Sequence, residues 1–160
     1  MAAVMMVGID ESEHSMYALE WTLDRFFLSD ENENPPFKLH ILHARPHAIS
    51  ALCVSGPGAA QALPFVDSDL KKMSARTVEK AKHICSTKSV KDVTFEVAEG
   101  DPRQVLCDAV DKHAASILVI GSHGYGAIKR AVLGSVSDYC SHHAHCTVMI
   151  VKKPKTQITN

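Results

Sequence analysis

The sequence lacks the features that mark several large protein classes. No apolar run approaches the roughly 20 residues needed to cross a bilayer as a helix, so no membrane partner is expected. With 17 Lys and Arg against 18 Asp and Glu, the formal charge is −1. No net field therefore draws the chain to nucleic acid or to an anionic membrane. The five cysteines, at positions 53, 85, 107, 140 and 146, contain no Cys-x-x-Cys pair. An odd number in a chain of 160 residues argues for free thiols in a reducing compartment rather than a disulfide framework. Catalytic signatures are missing as well. There is no Gly-x4-Gly-Lys-Ser/Thr, hence no P-loop lysine to stabilise a transferring phosphoryl group. There is no Gly-x-Ser-x-Gly nucleophile elbow. The apolar run Met1 to Ile9 has no basic leader and meets Asp10 and Glu11 at once. It reads as a strand, not a signal peptide.

What remains is an ordinary globular composition, 46% apolar and 22% charged, of a size that suits one domain with a substantial core. Ten histidines make the net charge sensitive to mild acid. Strand-like runs alternate with helix-period runs along the chain. Val4 to Ile9 is followed by Met16, Leu19, Leu23, Phe26 and Phe27 at helical spacing, with Ser12 or Glu13 as the helix start. After a polar connection ending in Pro35-Pro36, Phe37 to Ala44 forms a second strand. Residues 45–66 have no clear period and read as a partly ordered loop near a ligand, or as an insert without a role. A long helix is expected from Asp67 or Ser68, with Leu70, Met73, Thr77, Ala81, Ile84 and Cys85 on its inner stripe. Val93 to Ala98 alternates like an edge strand. Asp101-Pro102 starts another helix, with Asp as N-cap and Pro in the first turn. The order β-α-β-α-β-α-β-α-β implies a parallel sheet with helices on both faces, an α/β domain.

The chemistry concentrates between Ser116 and Asp138. Ile117 to Ile120 is a short β-branched and leucine run, as in a strand buried on both faces. It breaks at Gly121, passes through a glycine-rich segment and restarts at Gly134-Ser135. Strand, glycine loop and helix N-terminus together make an anion site. Glycines let the backbone approach closely, and the first amides of a helix have no intrahelical partner. The spacing is Gly121-x2-Gly124-x9-Gly134-Ser135. No pair of carboxylates is evidently poised beside this loop as base and metal ligand. Asp138 lies three residues after Ser135, where a capping-box-like role accounts for it.

Gly-x2-Gly-x9-Gly-Ser at the end of a strand resembles the nucleotide-binding signature of the ATP-binding class of universal stress proteins. The likeness extends to the opening strand ending in Asp10, His43 closing the second strand, Gly100-Asp101-Pro102, and His143-Ala144-x-Cys146 before the last strand. It covers nearly the whole chain and is nearest to small, single-domain plant-type members. Where the family often has proline after that cysteine, this chain has Thr147, which loosens the turn and leaves the glycine motif untouched.

The resemblance implies a three-layer α/β/α Rossmann-like fold of the adenine nucleotide alpha hydrolase-like kind. Its five-stranded parallel sheet would have order 3-2-1-4-5. The domain would span residues 1–153, with 154–160 a polar tail. That order puts a topological switch between strands one and four, and ligands bind outside the carboxyl ends of strands at such a point. The ligand it implies is ATP, or AMP or ADP, with Mg or Mn as a companion ion. Ile9, Ala44 and Ile120 would wall the adenine. Asp10 would reach ribose hydroxyls, as the family's aspartate does, or help hold the metal, unless it only caps the next helix. Gly121 and Gly124 would allow close approach. The amides of Gly134, Ser135, Val136 and Ser137 would face phosphate, with the Ser135 hydroxyl beside them. His123 can offer a ring N–H. Lys129 and Arg130 either reach the outer phosphates or stand as an exposed pair.

Two other features need a reading. Cys140, His142, His143, His145 and Cys146 match no standard zinc spacing, and a structural role is the better expectation. Thr147 to Val151 is short and apolar. At a sheet edge it would pair with a copy of itself, giving a homodimer. The expected function is a stress-responsive regulatory or sensor module, cytoplasmic and secondarily nuclear, with an unidentified protein partner and at most slow ATP hydrolysis. The rivals are a genuine nucleotide hydrolase or AMP-forming transferase, and a nucleotide-free interaction module.

Overall fold

The computed structural model describes residues 2–28, 35–52, 58–123 and 133–155. Gly124, Lys129, Arg130 and Cys53 lie outside them. The described chain forms β1 (Ala3–Ile9), α1 (Glu13–Phe26), β2 (Phe37–Arg45), α2 (Ala48–Leu52), a 3-10 turn (Ala59–Ala62), α3 (Leu63–Thr87), β3 (Val93–Glu99), α4 (Pro102–His113), β4 (Ala115–Gly121), α5 (Ser135–His143) and β5 (Thr147–Val151).

All strand pairs are parallel, and the sheet order is β3-β2-β1-β4-β5. Alternate residues of β1 feed two separate cores, as strand geometry requires. Met5, Val7 and Ile9 pack with Leu19 and Leu23 of α1 and Ala81 and Cys85 of α3. Met6 packs on the opposite face with Leu106 and Val110 of α4 and Cys140 of α5. Helices thus cover both faces, and a strand buried on both sides has no room for the polar alternation of an exposed sheet. No described helix is long and apolar enough to cross a membrane.

Local chemistry explains the starts of α1 and α4. The Ser12 hydroxyl caps α1 by accepting from the Ser15 amide at 3.1 Å. The Asp101 carboxylate caps α4 by accepting from the Arg103 amide at 2.9 Å, behind Pro102 in the first turn. The end of α4 is less comfortable. Ala114 closes it at φ 48°, ψ 46°, a left-handed conformation that glycine usually takes.

β1 to β4 run one or two residues beyond the sequence reading, and one helix boundary differs by more. α3 begins at Leu63 rather than at Asp67 or Ser68. Pro64 in its first turn is compatible with a helix start, but the cap position is Ala62, which offers no side-chain acceptor. The usual start signal is therefore absent. The segment 45–66 holds a short helix and a 3-10 turn, neither with a sequence period long enough to read.

The four described cysteines are free thiols. Burial pushes Cys85 up to about 11 and Cys140 up to about 12, so both are poor nucleophiles at neutral pH. The left-handed cap yields a test. Ala114→Gly should raise stability by about 0.5–1 kcal/mol, read from urea denaturation midpoints at constant slope. No gain would contradict the conformation of that cap.

Candidate nucleotide-type cleft at the strand ends

Beyond the carboxyl ends of β1, β2 and β4 lies a cleft of about 300 Å³, at the small end of ligand-binding cavities. The strands supply Gly8, Ile9, Leu42, His43, Ala44, Ile120 and Gly121. α3 supplies Leu70, Met73, Ser74 and Thr77. The start of α4 supplies Pro102 and Leu106, and α5 supplies Val136. Asp10, Glu11, Ser15, Pro46 and His123 complete the lining. The walls are mainly apolar, with carboxylates, hydroxyls and imidazoles among them.

The polar groups around the cleft are tied to one another. Asp10 Oδ1 accepts from the Ser12 amide at 2.8 Å and from the Ser12 hydroxyl. The Ser15 hydroxyl donates to the Asp10 carbonyl at 2.9 Å, and its oxygen lies 3.0 Å from the Asp10 amide. Asp10 is thus both a cleft residue and an organiser of the turn into α1, while the helix cap proper is Ser12. His43 Nδ1–H donates to the Ile9 carbonyl at 3.0 Å, leaving Nε2 to accept from the Ser74 hydroxyl at 3.0 Å. That buried ring ties β1, β2 and α3 together where the cleft opens. A carbonyl can only accept, so the Ile9 contact requires a proton on Nδ1.

Gly121 has a reason of its own. A Cβ there would lie 2.8 Å from the carbonyl carbon and oxygen of His14 and 3.0 Å from the Ser15 amide nitrogen. These are backbone atoms of the first turn of α1, and they cannot swing aside. The missing side chain lets α1 rest on the end of β4.

The start of α5 is anchored through Ser122. Its amide donates to the Val151 carbonyl at 3.1 Å, and its carbonyl accepts from the Gly134 amide at 2.7 Å and the Ser137 hydroxyl at 3.1 Å. The Gly134 amide and the Ser137 hydroxyl are therefore engaged inside the protein. Ser135 is exposed, and no side chain caps the first turn. With the Gly134 amide paired to Ser122, Asp138 makes no capping box. Its exposed carboxylate instead lies 3.9 Å from His142 Nδ1.

The histidine near the glycine loop is His123, whose ring meets His14 edge-on at 5.2 Å between centroids. Among the described residues neither ring's buried Nδ1 has a hydrogen-bond partner.

Of the residues singled out from sequence, Ile9, Asp10, Ala44, Ile120, Gly121, His123 and Val136 share this cleft. Gly134, Ser135 and Ser137 stand at the helix start beside it. The α3 wall escaped notice because Leu70, Met73 and Thr77 follow the same stripe as the core residues Ala81 and Cys85. Only the helix's overhang past the sheet turns the first part of that stripe into a wall. The Cys140–Cys146 tract is splayed. His142 and His143 each donate through Nδ1 to carbonyls one turn back, and His145 Nδ1 lies 3.1 Å from the Asp111 carboxylate.

The fold and its cleft define a doubly wound α/β domain with a crevice at the topological switch. The model of the universal stress protein family matches residues 1–152, and the chain belongs to that family. It is 30% identical to universal stress protein PHOS34 of Arabidopsis thaliana, over 92% of this chain. It is 32% identical to universal stress protein MJ0531 of Methanocaldococcus jannaschii, over 96% of this chain and 84% of the relative. The chain spans 61% of PHOS34 and 64% of the related Arabidopsis protein PHOS32.

Among solved structures, UspA of Lactobacillus plantarum superposes with TM-score 0.73 at 16% identity, covering 93% of this chain and 97% of that one. An Arabidopsis thaliana family member with AMP bound gives 0.68 at 24% identity, covering 95% and 92%. The Archaeoglobus fulgidus protein in complex with dAMP gives 0.61 at 16%, covering 94% and 98%. At these identities the structural likeness shows the fold. The packing of Gly121 is open to experiment. Gly121→Ala should lower stability by about 1–3 kcal/mol through overpacking against α1, measured by chemical denaturation. An unchanged midpoint would mean that α1 does not lie so close.

Proposed function

We propose that the chain binds an adenine nucleotide in the cleft and acts as a stress-responsive regulatory or sensor module, with at most slow hydrolysis. The observation that carries this reading is the placement of the cleft. It opens at the switch between β1 and β4, with apolar walls, a carboxylate at the end of β1 and an uncapped helix start alongside. Ile9, Ala44 and Ile120 suit the faces of a purine. Asp10 offers a carboxylate to ribose hydroxyls. The amides of Ser135 and Val136 and the ring of His123 suit phosphate oxygens. Gly124, Lys129 and Arg130 belong to the same proposed phosphate end. The AMP and dAMP in the two family structures support the ligand class.

ATP is the proposed physiological form. A Mg or Mn ion would arrive with its phosphates. Asp10 and Glu11, both on the cleft wall, are hard oxygen donors of the type such ions take, and the ion would neutralise phosphate charge.

The test is calorimetry with ATP and AMP, with and without Mg²⁺, on the wild type and on Gly134→Val. Gly134 has φ −67°, so valine is tolerated by the backbone, but its side chain would crowd the helix start. ATP affinity should fall at least about tenfold, a loss near 1.4 kcal/mol, with an unchanged circular dichroism spectrum. Retained affinity would remove the phosphate from that position. Steady-state turnover with Mg²⁺ on the order of 1–1000 per second would instead make the protein an enzyme.

We further propose a homodimer through β5. That strand is a sheet edge, and Val148, Met149 and Ile150 are only half-buried. Such an edge pairs readily with a second copy, and a charge on it opposes pairing. Light scattering should report a dimer for the wild type and a monomer for Met149→Lys. A monomeric wild type would end this assignment.

A further inference from the structure

Outside the cleft lining, three metal-type ligands converge beside the last turn of α4. His40 comes from β2, Glu96 from β3 and His113 from the last turn of α4. Their donor atoms lie within 4.8 Å of one another. α4 starts with Pro102 on the cleft wall and ends with His113, and its 12 residues span about 18 Å. None of the three residues lines the cleft, whose nearest wall residues on the same elements are Leu42 and Leu106.

The geometry is convergent. His40 Nε2 lies 2.9 Å from Glu96 Oε2, and His113 Nε2 lies 2.7 Å from the same oxygen. The two rings are 4.2 Å apart between centroids and tilted by 41°. Both imidazoles thus aim the same nitrogen at one point. His40 is buried, at 7% exposure, and its sheet face is otherwise lined by Met6, Leu42 and Val110. Packing alone would favour an apolar residue there. Lys112 Nζ holds the other carboxylate oxygen at 2.8 Å. It orients Glu96 as an outer hydrogen-bond donor would, but its charge opposes a cation.

We propose that His40, Glu96 and His113 form a binding site for a divalent transition-metal ion of the zinc type. Two imidazole nitrogens and one carboxylate oxygen are a ligand set that zinc accepts, with water in the fourth position. Zinc–nitrogen bonds of about 2.0–2.1 Å in a tetrahedron place neighbouring ligand atoms roughly 3.3 Å apart. Small side-chain rotations from the present contacts reach that spacing. The ion takes the place of the proton on each Nε2, and each neutral ring then carries its single proton on Nδ1, the tautomer shifting by exchange with water. Bound there, it cross-links the edge of the sheet to the end of α4 and favours the folded state.

Metal-free protein is titrated with Zn²⁺ by calorimetry, and with Co²⁺ by visible absorption to report geometry. Circular dichroism confirms the fold of each variant. One Zn²⁺ per chain should bind at micromolar concentration, with a Co²⁺ spectrum of tetrahedral type. His113→Ala and Glu96→Gln should each weaken binding at least about tenfold. Lys112→Gln should tighten it. A variant carrying His142→Ala, His143→Ala, His145→Ala and Cys146→Ser should bind as the wild type does. Absence of binding in the wild type would overturn the assignment. So would binding that survives His113→Ala and Glu96→Gln, or that is lost with the surface tract.

Discussion

The two-sided pairing of β1 is the constraint on which the structure depends. β1 pairs with β2 on one side and β4 on the other, and Met5, Met6 and Val7 are fully buried. Because chain neighbours of β1 in the sheet come from opposite halves of the sequence, the connections that leave β1 and β4 diverge. A crevice must open between them at the carboxyl ends. Asp10 stands there because β1 ends there. Gly121 is there because β4 does, and because the first turn of α1 crosses it at backbone distance.

The cleft is held open by bonds made before any ligand arrives. Asp10, Ser12 and Ser15 form one knot, and Ile9, His43 and Ser74 form another. Ser122 links the end of β5 to the start of α5. Such preorganisation lowers the ordering cost of binding. No lysine of the P-loop kind and no nucleophile elbow occurs in the sequence.

α4 serves two places at once. Its capped start borders the cleft through Pro102 and Leu106, while its last turn presents Lys112 and His113 to Glu96 on β3. A polar cluster that gathers two strands and a helix defines their mutual placement more narrowly than apolar packing does, because hydrogen bonds and metal bonds are directional.

What the sequence by itself determined is what depends on neighbours a few residues away. Apolar runs and helical stripes mark the five strands and the main helices. Asp101-Pro102 marks the start of α4, and the glycine spacing marks the loop after β4. Family resemblance added the strand order. The tertiary structure alone decided the rest. The α3 wall of the cleft depends on how far a helix overhangs the sheet, and the need for Gly121 depends on where α1 crosses β4. The meeting of His40, Glu96 and His113 depends on register. His40 stands opposite Thr94, and Leu42 opposite Glu96. A one-residue slip would turn His40 or Glu96 to the other face of the sheet. No local pattern carries that information, because the three residues are neighbours only once the sheet has paired and α4 has docked on it.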